Sequence, residues 1–350
     1  MRRWKSVSAA LAAGMILAGC AGRDEPPALV TVPTRTPVQG AVAATAESGP
    51  VVSLAAPTSE FLSAVATVAP VDQGITFVNT FSRSGVPCFG LDGAAANKFE
   101  YLFDFSGFSF PMADFAAWQF AQEVLPEDAL IAQGRDALDA AEAVLPGEDA
   151  MHLCVIAVPA VSVPDAATVN AGGDVPLAIA TQPLKVIPVS ADTLLLACSQ
   201  GKACLENVPA LVAHGYAMAY QLRGLDRPLS ELTLMERIVL EGRATAFARY
   251  VVPGARLPWD DALTAVQVPA AWEIAASRMT WRENIDRFGD RMVWSTTLDE
   301  TYPAWSGVWF GDQIVQGYVA RHPGLALADL LRLPPATVYG DSGYPPEISS

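Results

Sequence analysis

The sequence predicts an α+β fold, and three observations point to it. Two apolar, strand-like runs, residues 183–189 and 192–198, are separated only by a short Ser-Ala turn. The chain after them is dominated by stretches with helical spacing of apolar residues, at about 206–222, 230–251, 270–288 and 306–321. Shorter strand-like runs, 74–81 and 152–158, precede them, so strands feed a helical half.

Each element has a local reason. Between the early strands, residues 112–122 and 127–144 are rich in Ala and Leu and read as helices. The helix from about residue 206 stops near Gly224. Ser230 is the expected cap of the next helix, which Pro253-Gly254 ends, and Pro323-Gly324 ends the helix that starts at residue 306. Phe99, Tyr101, Phe103, Phe105, Phe108 and Phe110 alternate with polar neighbours and read as one face of a sheet core. No internal repeat is visible.

The first 57 residues have a different character. Arg2, Arg3 and Lys5 form a basic start, followed by an uncharged apolar stretch from Val7 to Ala18. That stretch is well short of the roughly 20 residues a spanning helix needs and has the length of a signal-peptide core. It ends in Leu17-Ala18-Gly19-Cys20, which resembles the lipobox of bacterial lipoproteins. The resemblance implies cleavage before Cys20, lipid on that cysteine, and a cell-envelope location. Residue 21 is Ala rather than Asp, which in Gram-negative lipoproteins implies the outer membrane, facing the periplasm. Residues 20–57, rich in Ala, Pro, Thr and Val, read as a tether. Residues 58–178 then form a mixed α/β region, and 179–350 a second region.

Charge narrows the partners. The chain carries a formal charge of −15, and removal of its three N-terminal basic residues would make it −18. Such a surface lacks the clustered Lys and Arg that phosphate neutralisation needs, so nucleic acid is excluded as a partner. It would not lie on anionic lipid by itself either, which leaves anchoring to the lipid on Cys20. Half the residues are hydrophobic (51%), enough for a sizeable core. Beyond Cys20 the cysteines are Cys88, Cys154, Cys198 and Cys204. In an oxidising compartment they allow two disulfides, and the short loop between Cys198 and Cys204 makes these two the expected pair. The pairing of Cys88 with Cys154 is left open by the sequence.

Three histidines are available for chemistry. His322 sits in Arg-His-Pro-Gly at a helix end and reads as a terminal residue rather than a ligand. His152 lies on an expected strand. His214 falls on the apolar stripe Leu211, Met218, Leu222, where it must be bonded or bound to something. Glu241 poses the same question on the following helix, sharing a face with Leu234, Ile238, Thr245 and Ala248. Arg237, one turn earlier, is its expected structural partner, with Glu236 and Arg243 on a solvated far side.

The segments LVAHGYAMAY and LMERIVLEGRATAFARYVVP, followed by YPAWSGVWFGDQIVQGYVARHPG, resemble the zincin metallopeptidases of the gluzincin kind. More narrowly they are similar to a family of predicted zinc-dependent proteases, over roughly residues 183–345. The resemblance implies a strand, a helix with HExxH, a second helix carrying a Glu ligand, and a glycine-rich third helix. In such a site two histidines and the Glu hold zinc, and the Glu after the first histidine is the general base. His214 matches the first histidine and Glu241 the third ligand. Gly215 stands where the base belongs, and Met218 where the second histidine belongs.

Those departures lead to an expectation of a catalytically inactive relative without metal, binding a peptide, protein or cell-wall ligand in the old cleft. His214 and Glu241 would then be a relic pair hydrogen-bonded to each other. The alternative is an active zinc hydrolase whose site is rebuilt with His152 or Asp312. The third reading is a purely structural envelope lipoprotein, its groove packed by side chains such as Trp309, Phe310 or Tyr216.

Overall fold

The computed structural model describes residues 50–55, 67, 115–147, 151–158, 184–188, 192–199, 201–227, 231–282, 293, 303 and 305–345. The signal-peptide stretch, Cys20, the strand at 74–81, the aromatic cluster at 99–110 and Cys88 lie outside the described residues.

The fold is mixed α+β, with a small four-stranded sheet and mostly helical content. In chain order the elements are β1 (Val51–Ala55), α1 (Phe115–Glu123), α2 (Glu127–Val144), β2 (His152–Ala157), β3 (Leu184–Pro188) and β4 (Thr193–Cys198). A 3₁₀ turn at Gly201–Asn207 leads into α3 (Val208–Arg223), then α4 (Leu234–Val251), α5 (Val268–Ala276), α6 (Ser306–Arg321), α7 (Leu327–Arg332) and α8 (Pro335–Ser342).

The sheet runs β1-β2-β4-β3. β1 and β2 are parallel, as are β2 and β4, while β3 pairs antiparallel with β4 and forms an edge. The reason lies in the side chains: every residue of β4, Thr-Leu-Leu-Leu-Ala-Cys, is buried, as expected of a central strand covered on both faces. β1 shortens the expected tether, since Val51–Ala55 pairs along Val51–Ala55/His152–Ile156 instead of running free to residue 57. Because β1 and β2 join β3 and β4 in one sheet, the change of sequence character near residue 179 is no break in the core.

α3 lies between the sheet and α4, touching β3 and β4 on one side and α4 on the other, and α4 in turn packs on α6. α3 and α4 are therefore buried nearly all round, which explains why neither shows a clean polar face. Several expectations shift here. The cap of α4 is Thr233, not Ser230: its side chain accepts from the Glu236 N–H, while the Glu236 carboxylate accepts from the Thr233 N–H at 2.8 Å. Thr233→Ala should cost about 1 kcal/mol in chemical unfolding; no change in midpoint would show the box to be incidental. Arg243 is not solvated. It is 3% exposed and its guanidinium donates to the Leu333 carbonyl at 2.5 Å, closing the end of α7. Burial pulls that guanidinium down to about 10. The helix expected at 270–288 stops at Ala276 and gives way to turns through Thr280.

Cys198 and Cys204 are disulfide-bonded, tying the end of β4 to the 3₁₀ turn before α3. Closing so short a loop stabilises by about 2 kcal/mol. Replacing both with Ser should lower stability by that amount in urea unfolding, and a loss well under half of it would mean the turn holds its shape without the bond. Cys154 is also disulfide-bonded, with its partner outside the described residues. No helix among the described residues is long and apolar enough to cross a membrane.

Candidate functional site

α3 presents His214 and α4 presents Glu241 toward each other, because α3 and α4 pack along their length. His214 Nε2 stands 3.1 Å from Glu241 Oε2, and both side chains are nearly enclosed, His214 at 8% and Glu241 at 4% exposure. The approach is close but lacks hydrogen-bond alignment, so Nε2 is in contact with the carboxylate without a hydrogen bond to it. The two relic residues that the sequence suggests would pair do meet, at 3.1 Å. Arg237, the other expected partner of Glu241, is wholly buried one turn earlier.

Gly215 stands at the base position, where there is little room for a side chain. A Cβ built there would lie 2.8 Å from Val186 Cγ1 and 3.6 Å from both Leu194 methyl groups. The bare glycine lets α3 settle on the edge strand β3 and on β4, so a carboxylate side chain at this position must first displace Val186. Met218, one turn beyond His214, is 2% exposed. Its sulfur receives only a long approach of 3.9 Å from the Gln221 amide, which donates its better hydrogen bond to the Leu240 carbonyl at 3.1 Å.

Trp259 covers the histidine. Its ring centroid lies 4.7 Å from that of His214 at an interplanar angle of 55°, and the side chain is 3% exposed. The loop after α4 holds it there. Arg249 on α4 bonds Asp260 at 2.5 Å, and the Asp260 carboxylate accepts from the Leu257 N–H at 2.9 Å. Trp305, the left-handed cap of α6 (φ 64°), stands behind it with centroids 5.7 Å apart. No sequence pattern marks Trp259 beyond its place in a Pro-Trp-Asp-Asp loop.

The substitute ligands lie elsewhere. Asp312 on α6 is bonded by Arg249 at 2.5 Å and by the Gln316 amide at 2.8 Å. Burial lifts its carboxyl above the ordinary carboxylate range, against the opposing pull of Arg249 and Gln316. Arg249 feels burial too, yet its two carboxylate partners hold it above its ordinary value; the difference arises because Asp312 is much the more deeply enclosed of the pair. His152 opens β2 with its Nε2 4.0 Å from Cys154 Sγ. His322 caps α6, its Nδ1 2.9 Å from the Tyr318 carbonyl and its ring stacked on Tyr318. Tyr216, on the other side of α3, donates to the Leu145 carbonyl at 2.7 Å and ties α3 to the end of α2; burial pushes its hydroxyl up to about 12. Trp309 and Phe310 pack edge to face on each other at 5.4 Å.

Residues 184–339 match the family described as Predicted Zn-dependent protease (DUF2268). The match begins at β3, carries α3, α4 and α6, and ends within α8, a little under half of the chain. This part of the chain is accordingly zinc-protease-like in sequence. No curated protein and no solved structure matches the chain.

The zinc that this family implies can be tested against the residues. His214 Nε2 and Glu241 Oε2 are separated by about the edge of a tetrahedral zinc site, roughly 3.3 Å for ligands about 2.0–2.1 Å from the ion. A third hard or borderline donor is needed, and among the described residues no group of three or more His, Cys, Asp or Glu side chains converges. Position 218 offers a thioether, a poor zinc ligand. The described residues therefore do not fit a catalytic zinc centre, and no hydrolytic step through zinc can be derived from them.

Proposed function

We propose that this chain is a lipid-anchored cell-envelope protein with a zincin-like body that has lost peptidase activity and serves by binding. The observation that carries this reading is Gly215. A side chain at the position that should supply the general base would begin only 2.8 Å from Val186 Cγ1 on β3, which would have to shift. A general base contributes roughly 100- to 10,000-fold to such reactions, and Met218 removes a metal ligand as well. The antiparallel edge strand β3 beside α3 supports the zincin-like assignment. The N-terminal sequence through Cys20 supports the lipid anchor and the outer-membrane, periplasm-facing location. A peptide, another envelope protein or cell-wall material is the ligand class this reading names, and nucleic acid is not among them.

A direct test is hydrolysis of an unstructured protein substrate by the full chain in detergent, with and without added zinc. No cleavage above that of His214→Ala supports the proposal. Zinc-dependent cleavage that disappears in His214→Ala would favour the rebuilt-hydrolase reading instead.

A further inference from the structure

Residues 252–267, between α4 and α5, contain no strand and no regular helix, and they carry Trp259 onto His214. The middle of this loop is bonded to itself. The Asp260 carboxylate accepts from the Leu257 N–H at 2.9 Å, and the Asp260 N–H donates to the Leu257 carbonyl at 3.1 Å. The Ala262 N–H donates to the Trp259 carbonyl, also at 3.1 Å. Residues 257–262 can therefore move as one piece. Just ahead of them stands Gly254 at φ 78°, where a Cβ would meet nothing within 4 Å. A left-handed glycine in open space lets the chain turn without displacing a neighbour.

The polar tie from this piece to the helices is Asp260 on Arg249 at 2.5 Å. That tie is uneven. Arg249 is also held by Asp312 of α6 at 2.5 Å, and Asp312 accepts from the Gln316 amide at 2.8 Å. The Asp312 side chain is 5% exposed against 23% for Asp260, so water competes for Arg249 most easily on the loop side. Closure also leaves the buried Trp259 Nε1 without a hydrogen-bond partner, a cost that exposure to water removes. Against this, Leu257, Trp259 and Leu263 are buried, so the closed form dominates and an open one is a minority state. We propose that residues 254–263 form a hinged lid over His214, latched by Asp260 on Arg249, which opens to admit ligand. This rests on the reading of the site as a binding cleft and adds how the cleft is reached.

The experiment needs no ligand. The full chain in detergent is treated with diethyl pyrocarbonate at several urea concentrations well below the unfolding midpoint, and modification of His214 is read by mass spectrometry. Opening of the lid alone exposes little surface, so its rate should hardly change with urea; exposure by global unfolding climbs steeply. Wild type should be slow and nearly independent of urea. Asp260→Asn should be about tenfold faster, as expected for weakening one charge-assisted hydrogen bond, and equally insensitive to urea. Asp261→Asn removes the same charge one residue on, from an exposed pair with Arg256, and should keep the wild-type rate. An Asp260→Asn rate equal to wild type, an equal rise in Asp261→Asn, or modification that tracks global unfolding overturns the lid. The cleavage assay given above tests the binding reading separately, so the two can fail independently.

Discussion

Gly242→Ala is expected to destabilise the protein by about 3 kcal/mol, at the upper end of what one added methyl group costs in a packed core. In a solvent-facing helix the same change would stabilise by roughly 0.5–1 kcal/mol, so packing alone decides the sign. A Cβ at 242 would lie 2.0 Å from the Gly311 carbonyl oxygen and 2.2 Å from its carbon. The converse holds at Gly311, where a Cβ meets the Ile238 carbonyl oxygen at 2.0 Å. These obstacles are backbone atoms of α4 and α6, which have no rotamer to change, so the two helices must separate. Gly242 follows Glu241 directly, and separation would also move that carboxylate relative to His214. Urea unfolding of Gly242→Ala and Gly311→Ala should show the loss in each. Gly340→Ala, where a Cβ meets nothing within 4 Å, should be neutral or slightly stabilising. Wild-type stability in both core variants would mean that α4 and α6 do not cross at these glycines.

Trp259→Ala should cost about 3–5 kcal/mol, as expected for truncating a buried aromatic side chain. Trp259 lies on a loop, but Arg249, Asp260 and the Leu257 N–H hold that loop to the end of α4. The indole packs against both His214 and Trp305. Its loss should therefore expose His214 as well as weaken the fold. Chemical unfolding measures the first effect, and the rate of His214 modification by diethyl pyrocarbonate, read by mass spectrometry, measures the second. A variant with wild-type stability and an unchanged modification rate would show that Trp259 does not cover the site.

Much of the scaffold was legible because it follows from local pattern. The bounds of α2 and α6 coincide with the predicted ones, and β3, β4, α3 and α4 deviate by only a few residues. A histidine and a glutamate on two apolar stripes do meet, since buried polar groups seek one another. What was not legible depends on partners remote in sequence. Arg243 reads as a solvent-facing residue until α7, about ninety positions later, brings the Leu333 carbonyl to it. Gly242 and Gly311 are ordinary helix glycines until α4 and α6 cross. Trp259 has no periodicity to betray it, and the small helices α7 and α8 are too short to leave a pattern. The misplaced cap is instructive in another way. Ser230 and Thr233 both carry capping hydroxyls, but only Thr233 has Glu three residues on, which completes the reciprocal box.

On the proposed reading, His214 and Glu241 remain from a metal site that no longer holds zinc. It is tested most directly by zinc content: the full chain in detergent, loaded with zinc, dialysed, and analysed beside His214→Ala. Far less than one zinc per chain is expected, with no difference between the two proteins. One zinc per chain in the wild type, lost in His214→Ala, would contradict it and require a third ligand that the described residues do not provide.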